Sequence, residues 1–269
     1  MQHLTPEQDL RVSLIQASLH WQDPQANRRQ FDDLLRPLAA ATDLVVLPEM
    51  FTTGFTMTPE GLAEPEAGPT LDWMRERAAG LGAALCGSLV TRTGRGYVNR
   101  LLFVTPDGGC ESYDKRHLFR MAGEHEHYVA GESRRVIAYR GWRILPSVCY
   151  DLRFPVFLRN RNDYDLLLCV ANWPAPRRHP WRVLLQARAV ENLCYVAGVN
   201  RVGQDANGLD YSGDSMLVDF KGEAKIDRDP GQPFVETATL SASELNRFRT
   251  VFPAWQDADD FVIPGLEPR

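Results

Sequence analysis

Apolar residues along this chain recur with two different periods, and the places where one gives way to the other predict its elements. Short runs rich in Val, Ile and Leu predict strands at residues 12–16, 44–47, 83–91 and 99–105, with another at 111–115 beyond the Pro106-Asp107-Gly108-Gly109 turn. Residues 136–139 and 142–145, joined at Arg140-Gly141, predict a second hairpin, and residues 166–171, 195–200, 216–219 and 234–240 predict the remaining strands. Helical spacing begins after Pro24, where Phe31, Leu34, Leu35 and Leu38 fall on one face. It returns at 71–81, where Thr70 precedes Leu71, Met74 and Ala78 and glycines at 80 and 82 end the run, and again at 181–192. Ser241 and Glu244 have capping-box spacing, so a last helix starts there before the chain turns Pro- and Asp-rich. Strands alternating with helices imply a layered α/β architecture.

Three strand-like runs deliver a reactive side chain straight into a polar segment. Residues 43–48 run into Glu49, residues 110–114 into Lys115, and residues 144–148 into Cys149, which Tyr150-Asp151-Leu152-Arg153 follows. If the three strands end on one edge of a sheet, a carboxylate, an ammonium and a thiol converge there, which is how a nucleophile is presented and activated. Taken singly, each has a plainer reading. A cysteine in an apolar strand is more often a small core residue, as Cys86, Cys169 and Cys194 read here, and a charge at a strand end is usually solvated. The combination raises the odds.

The same segments carry a family resemblance. Leu47-Pro48-Glu49-Met50-Phe51, then Tyr113-Asp114-Lys115-Arg116-His117-Leu118-Phe119, then Ser147-Val148-Cys149-Tyr150-Asp151-Leu152-Arg153-Phe154-Pro155 resemble the three signature segments of the nitrilase superfamily of carbon-nitrogen hydrolases. Lys115 follows Glu49 by 66 residues and Cys149 follows Lys115 by 34, separations that suit that fold. The resemblance spans about Val12 to Thr239, and the runs from Glu49 to Phe55 and from Met121 to Tyr128 look like the omega-amidase branch. It implies a four-layer α-β-β-α sandwich of two mixed sheets flanked by helices. The expected organisation is one domain over residues 1–269, with a C-terminal arm from about 241 to 269 that packs across a homodimer partner or lies loose on the surface. The apolar stripe of Leu184, Leu185, Ala189 and Leu193 is read either as that dimer's interface or as core.

The resemblance further implies amide hydrolysis through a cysteine thioester, on a small dicarboxylic monoamide such as 2-oxoglutaramate, with no cofactor and no metal. A nitrilase, an N-carbamoyl amide hydrolase or a non-catalytic binding protein on the same fold are the alternatives. Cys149 is the nucleophile and Glu49 the base. Lys115 supplies charge that lowers the thiol pKa and favours the oxyanion, with the backbone N–H of Tyr150 as second donor. A second carboxylate is expected to steady Lys115, and Glu124 is preferred over Glu126. Asn172 and Trp173 are expected in the active-site wall, with Phe55, Phe119, Tyr128 and Phe154 completing an apolar slot. Arg153 is placed either to clamp a substrate carboxylate or to anchor on Glu191 or Asp151.

Composition narrows the partners. A formal charge of −5 over 269 residues, without a long basic run, argues against nucleic acid. No stretch approaches the length of a membrane span and the N-terminus lacks a basic-then-apolar leader, so the expected location is cytoplasmic. Five cysteines without metal-type spacing read as free thiols. Two histidine readings compete with the triad: Cys149 with His179 as a dyad, and His125 with His127 as metal ligands. Both are weak, because His179 reads as a helix-start residue and the His-Glu-His run sits in a polar segment.

Overall fold

The structure is a computed structural model that describes residues 5–266. The expectation drawn from residues 1–4, and the last three positions of the predicted arm, lie outside the described residues. The first sheet takes its strands from both ends of the chain. Its order is β15 (Phe234–Leu240), β1 (Leu10–Gln16), β2 (Leu44–Val46), β4 (Ala84–Thr93), β5 (Gly96–Val104) and β6 (Cys110–Asp114), with the short β3 (Glu64–Pro65) beside β4. β1, β2 and β4 are parallel, while β15 and the β4–β5–β6 hairpins run antiparallel.

A second mixed sheet packs against it in the order β14 (Ala224–Asp227), β13 (Met216–Val218), β10 (Tyr195–Asn200), β9 (Leu166–Ala171), β8 (Trp142–Val148) and β7 (Ile137–Tyr139), with β8, β9 and β10 parallel. A separate ribbon, β11 (Val202–Gln204) with β12 (Asp210–Ser212), stands apart from both.

Period-two alternation explains why two layers of helix are needed. In the first sheet Val12, Leu14, Leu44, Val46, Ala84 and Cys86 face the inter-sheet core. Their neighbours Ile15, Val45, Ala83 and Leu85 face outward and join Phe31, Leu35, Met74 and Ala78 of α1 (Pro24–Leu35) and α2 (Pro69–Leu81). On the far side, Trp181, Leu185 and Ala189 of α5 (Arg178–Asn192) and Leu245 of α6 (Ala242–Val251) bury themselves over the second sheet. The result is the expected α-β-β-α sandwich. The helix ends follow local chemistry: Asp23 caps Ala26 N at 2.9 Å, Gly82 closes α2 at φ +65°, and Ser241 accepts from Glu244 N at 3.4 Å. α2 starts one residue before Thr70, whose amide is taken by the Glu64 carboxylate at 2.7 Å.

One expectation changes. The three reactive segments do not share one sheet edge, because β2 and β6 belong to the first sheet and β8 to the second. Of the two readings of the α5 stripe the structure favours core: Leu185, Ala189 and Leu193 are buried and Leu184 partly buried against their own chain, and the exposed apolar side chains of that helix are Val183 and Val190. α6 likewise lies on its own chain, where Arg249 pairs with Asp165 at 2.5 Å and donates to Leu193 O at 2.8 Å.

Candidate active site

Four residues beyond β2, the chain turns sharply through Met50, which sits at φ +41°, and this turn fixes Glu49. The Met50 amide donates to Ser88 Oγ at 2.9 Å and Phe51 N to Ser88 O at 3.0 Å, so the turn is bonded to the neighbouring strand β4. Lys115 directly follows β6, its own amide held by Asn99 O at 2.9 Å. Its Nζ lies 3.0 Å from Glu49 Oε1 and 2.9 and 3.0 Å from the two oxygens of Glu124. Glu124 opens the four-residue helix α3 (Glu124–His127) and also accepts from Phe119 N at 2.5 Å. All three side chains are fully buried. Of the two candidate glutamates, Glu124 meets Lys115, whereas Glu126 points to solvent.

Cys149 starts a 3-10 turn, Cys149–Arg153, at the end of β8, and it too adopts positive φ, +48°. A residue in this sparsely populated conformation is held there by its surroundings. Asp151 supplies the hold: it accepts from Val148 N at 2.9 Å, Tyr113 Oη at 2.7 Å and His117 N at 2.9 Å. The turn bearing Cys149 is thereby tied to the segment bearing Lys115. Asn172, just past β9, ties it to Glu49 as well. Its amide donates to Glu49 Oε2 at 2.7 Å, its Nδ2 to Glu49 O at 2.6 Å, and its carbonyl faces Cys149 Sγ at 3.9 Å.

Comparison with known proteins gives this arrangement a family. The carbon-nitrogen hydrolase family model matches residues 11–250. This chain is a carbon-nitrogen hydrolase. It is 52% identical over 254 residues to the omega-amidase YafV of Yersinia enterocolitica, covering 94% of this chain and 98% of that one. It is 28% identical to a 2-oxoglutaramate amidase of Bacillus subtilis, over 91% and 96% of the two chains. A crystal structure of a carbon-nitrogen hydrolase superfamily protein from Xanthomonas campestris, with an arsenic adduct in its active site, superposes with a TM-score of 0.93 at 52% identity and covers 95% of this chain and 99% of that one.

In this carbon-nitrogen hydrolase the buried charges set one another's protonation. Desolvation works to lower the Lys115 pKa, but Glu124 and Glu49 outweigh it and hold the group well above its ordinary value. Burial raises Glu124, partly offset by Lys115. Burial and then the Glu49 charge push the Cys149 thiol well above its ordinary value, with Lys115 opposing them. The Lys115 charge does pull the thiol pKa down, as the sequence implies, but desolvation and the nearby Glu49 anion outweigh that pull.

An apolar cleft opens over the sulfur. Phe55, Phe119, Tyr150, Arg153, Asn172 and Trp173 line it as expected. Tyr128 and Phe154 do not: Tyr128 is buried with its hydroxyl on Thr56 O at 2.7 Å, and Phe154 stacks on His117 with ring centroids 3.8 Å apart. The carboxylates proposed to anchor Arg153 are engaged elsewhere, Glu191 by Arg188 and Asp151 as above, and the Arg153 guanidinium lies 4.9 Å over the Trp173 ring. Pro174, next to Trp173, lines the cleft too; sequence reasoning missed Ala122 and Arg177, and also Leu209 and Tyr211 from the β11–β12 ribbon, for which Asn207-Gly208 was the available turn signal. It also missed Asn99, whose Nδ2 donates to Glu49 Oε1 at 2.7 Å. The rival histidine sites dissolve: His179 is exposed in the first turn of α5, and His125, Glu126 and His127 are all exposed. Among the described residues no group of three or more His, Cys, Asp or Glu is placed to hold a metal.

Gly131 guards this geometry from outside. Its N–H donates to Lys115 O at 2.9 Å, and a Cβ on it would collide with the Asp114 carbonyl. Gly131→Ala is expected to shift the Lys115 segment, lowering kcat together with stability by about 1–3 kcal/mol, as read by melting and by ammonia release.

Proposed function

We propose that this carbon-nitrogen hydrolase is an omega-amidase that releases ammonia from the terminal amide of a short dicarboxylic monoamide such as 2-oxoglutaramate. The observation that carries the reading is a cleft with a thiol at its base, backed by a buried Glu49-Lys115-Glu124 cluster, and an exposed guanidinium, Arg153, on its wall. The high identity to omega-amidases supports the same substrate class.

In the reaction, Cys149 Sγ attacks the amide carbon while its proton passes to Glu49. Because burial and the Glu49 charge hold the thiol pKa above its ordinary value, proton transfer accompanies attack. The oxyanion forms against the Lys115 charge and the Tyr150 N–H, a donor of the kind that contributes about 3 kcal/mol. Glu49 gives the proton to the departing nitrogen, the C–N bond breaks and ammonia leaves a thioester on Cys149. Water, deprotonated by Glu49, then attacks the thioester, and collapse returns the thiol and a carboxylate. Glu124 holds Lys115 in place through both steps, and Arg153 takes the far carboxylate of the substrate.

Ammonia release from a panel of dicarboxylic monoamides, nitriles and N-carbamoyl amino acids tests this. Monoamides are expected to turn over. Turnover confined to nitriles or carbamoyl compounds would move the chain to another branch, and none at all would favour a binding protein. The assembly we propose is a cytoplasmic homodimer built on the outer helices, supported by exposed Val183 and Val190 on α5 and by Val251 and Phe252 at the end of α6. All five cysteines are free, which suits a reducing compartment, and among the described residues no helix is long and apolar enough to cross a membrane. Light scattering giving a monomer of 30.4 kDa at micromolar concentration would overturn the dimer.

A further inference from the structure

Many arginines in this protein are tied to carboxylates, among them Arg134 to Asp163, Arg143 and Arg249 to Asp165, and Arg178 and Arg182 to Asp214. Two on the cleft wall are not. Arg153 and Arg177 make no ion pair among the described residues, and each guanidinium instead lies over an aromatic ring that itself lines the cleft: Arg153 over Trp173 at 4.9 Å and Arg177 over Phe119 at 5.3 Å. Arg177 is only partly exposed and is set in place from behind, since its carbonyl accepts from Trp173 Nε1 at 2.7 Å.

We propose that Arg177 is a specificity-determining residue, forming with Arg153 a two-arginine grip on the carboxylate that the substrate carries at the end away from its amide. This rests on the amidase reading above and adds a residue to it. Stacking on Trp173 and Phe119 fixes the plane of each guanidinium and costs neither its edge N–H donors, which are the groups that meet a carboxylate in a fork. The cleft wall carries no Asp or Glu to compete for those donors. An apolar cleft ending in two such cations selects an anionic tail, because a neutral tail of the same shape leaves both guanidinium edges unmatched.

The experiment uses the full chain and two amides: succinamate, and 4-methylpentanamide, in which an isopropyl group replaces the carboxylate. The wild type is expected to prefer succinamate. In Arg177→Gln the preference in kcat/KM for succinamate over 4-methylpentanamide falls at least about tenfold, the scale of one charge-assisted hydrogen bond, and the loss sits in KM rather than kcat. Arg177→Lys, which keeps the charge and loses the fork, falls between. Equal loss on both amides would overturn the proposal and make Arg177 a support for Phe119, and an unchanged preference would overturn it outright. A wild type that hydrolyses neither amide would bring down the amidase reading itself, while one that hydrolyses both, with a preference Arg177→Gln leaves intact, brings down only the grip.

Discussion

Cys149→Ala and Cys149→Ser are expected to lose ammonia release by about a thousandfold or more, the scale seen when a covalent nucleophile is removed, while melting within about 1 kcal/mol of the wild type. The fold tolerates the change because Cys149 is only partly buried and its turn is held by the Asp151 carboxylate, which either variant leaves in place. Cys86, Cys169 and Cys194 supply the control. Each is fully buried in the central core, so Ala there costs stability through a lost contact and spares the chemistry. The resting state of the sulfur is checked separately. The difference in ultraviolet thiolate absorbance between wild type and Cys149→Ala should stay near zero at neutral pH, because burial and Glu49 hold the thiol well above its usual value. A thiolate signal already present at neutral pH would mean that Lys115 dominates after all, and an active Cys149→Ala enzyme would mean that a different sulfur reacts.

Much of this site was legible in the sequence because it sits where regular structure stops. Glu49, Lys115 and Cys149 each follow a strand-like run, and a strand that ends on a charged or nucleophilic residue shows in one dimension. Glu124 was legible as one of two glutamates, yet choosing between them needed the α3 turn that buries one and exposes the other. Which sheet each strand joins was not legible. Pairing between β1 and β15 spans almost the whole chain, and local periodicity is silent about partners that far apart. The α5 stripe stayed ambiguous for a related reason: a helix against a sheet and a helix against a second copy bury the same spacing of residues. Cleft residues such as Arg177, Leu209 and Tyr211 come from loops and a short polar ribbon with no periodic signal.

Lys115→Met carries the other large effect, and stability is expected to fall with activity. The lysine is the cation between two fully buried carboxylates, so removing it leaves Glu49 and Glu124 facing each other without compensation, a change of about 3–5 kcal/mol for a broken buried pair. Turnover should drop by at least about a hundredfold, since the oxyanion loses its charged partner. The pH dependence identifies the cause. In the wild type, Lys115 has its pKa raised well above the ordinary lysine value, so its stabilising contribution is fully present below that value and fades only as pH rises through the higher folded one. In the variant the dominant groups are carboxylates. Glu124 is already raised by burial and loses the cation that opposes that rise, so the folded state binds more protons than the unfolded chain and stability falls as pH rises. The melting deficit of Lys115→Met should therefore shrink as pH is lowered from about 8 to about 5 and Glu124 takes up a proton, while activity stays lost. Adding Glu124→Gln to the variant removes one uncompensated charge and should restore part of the melting temperature without restoring turnover. A melting deficit that does not change with pH, or a double variant less stable than Lys115→Met, would show that packing around the lysine stem, and not charge pairing, holds this part of the fold.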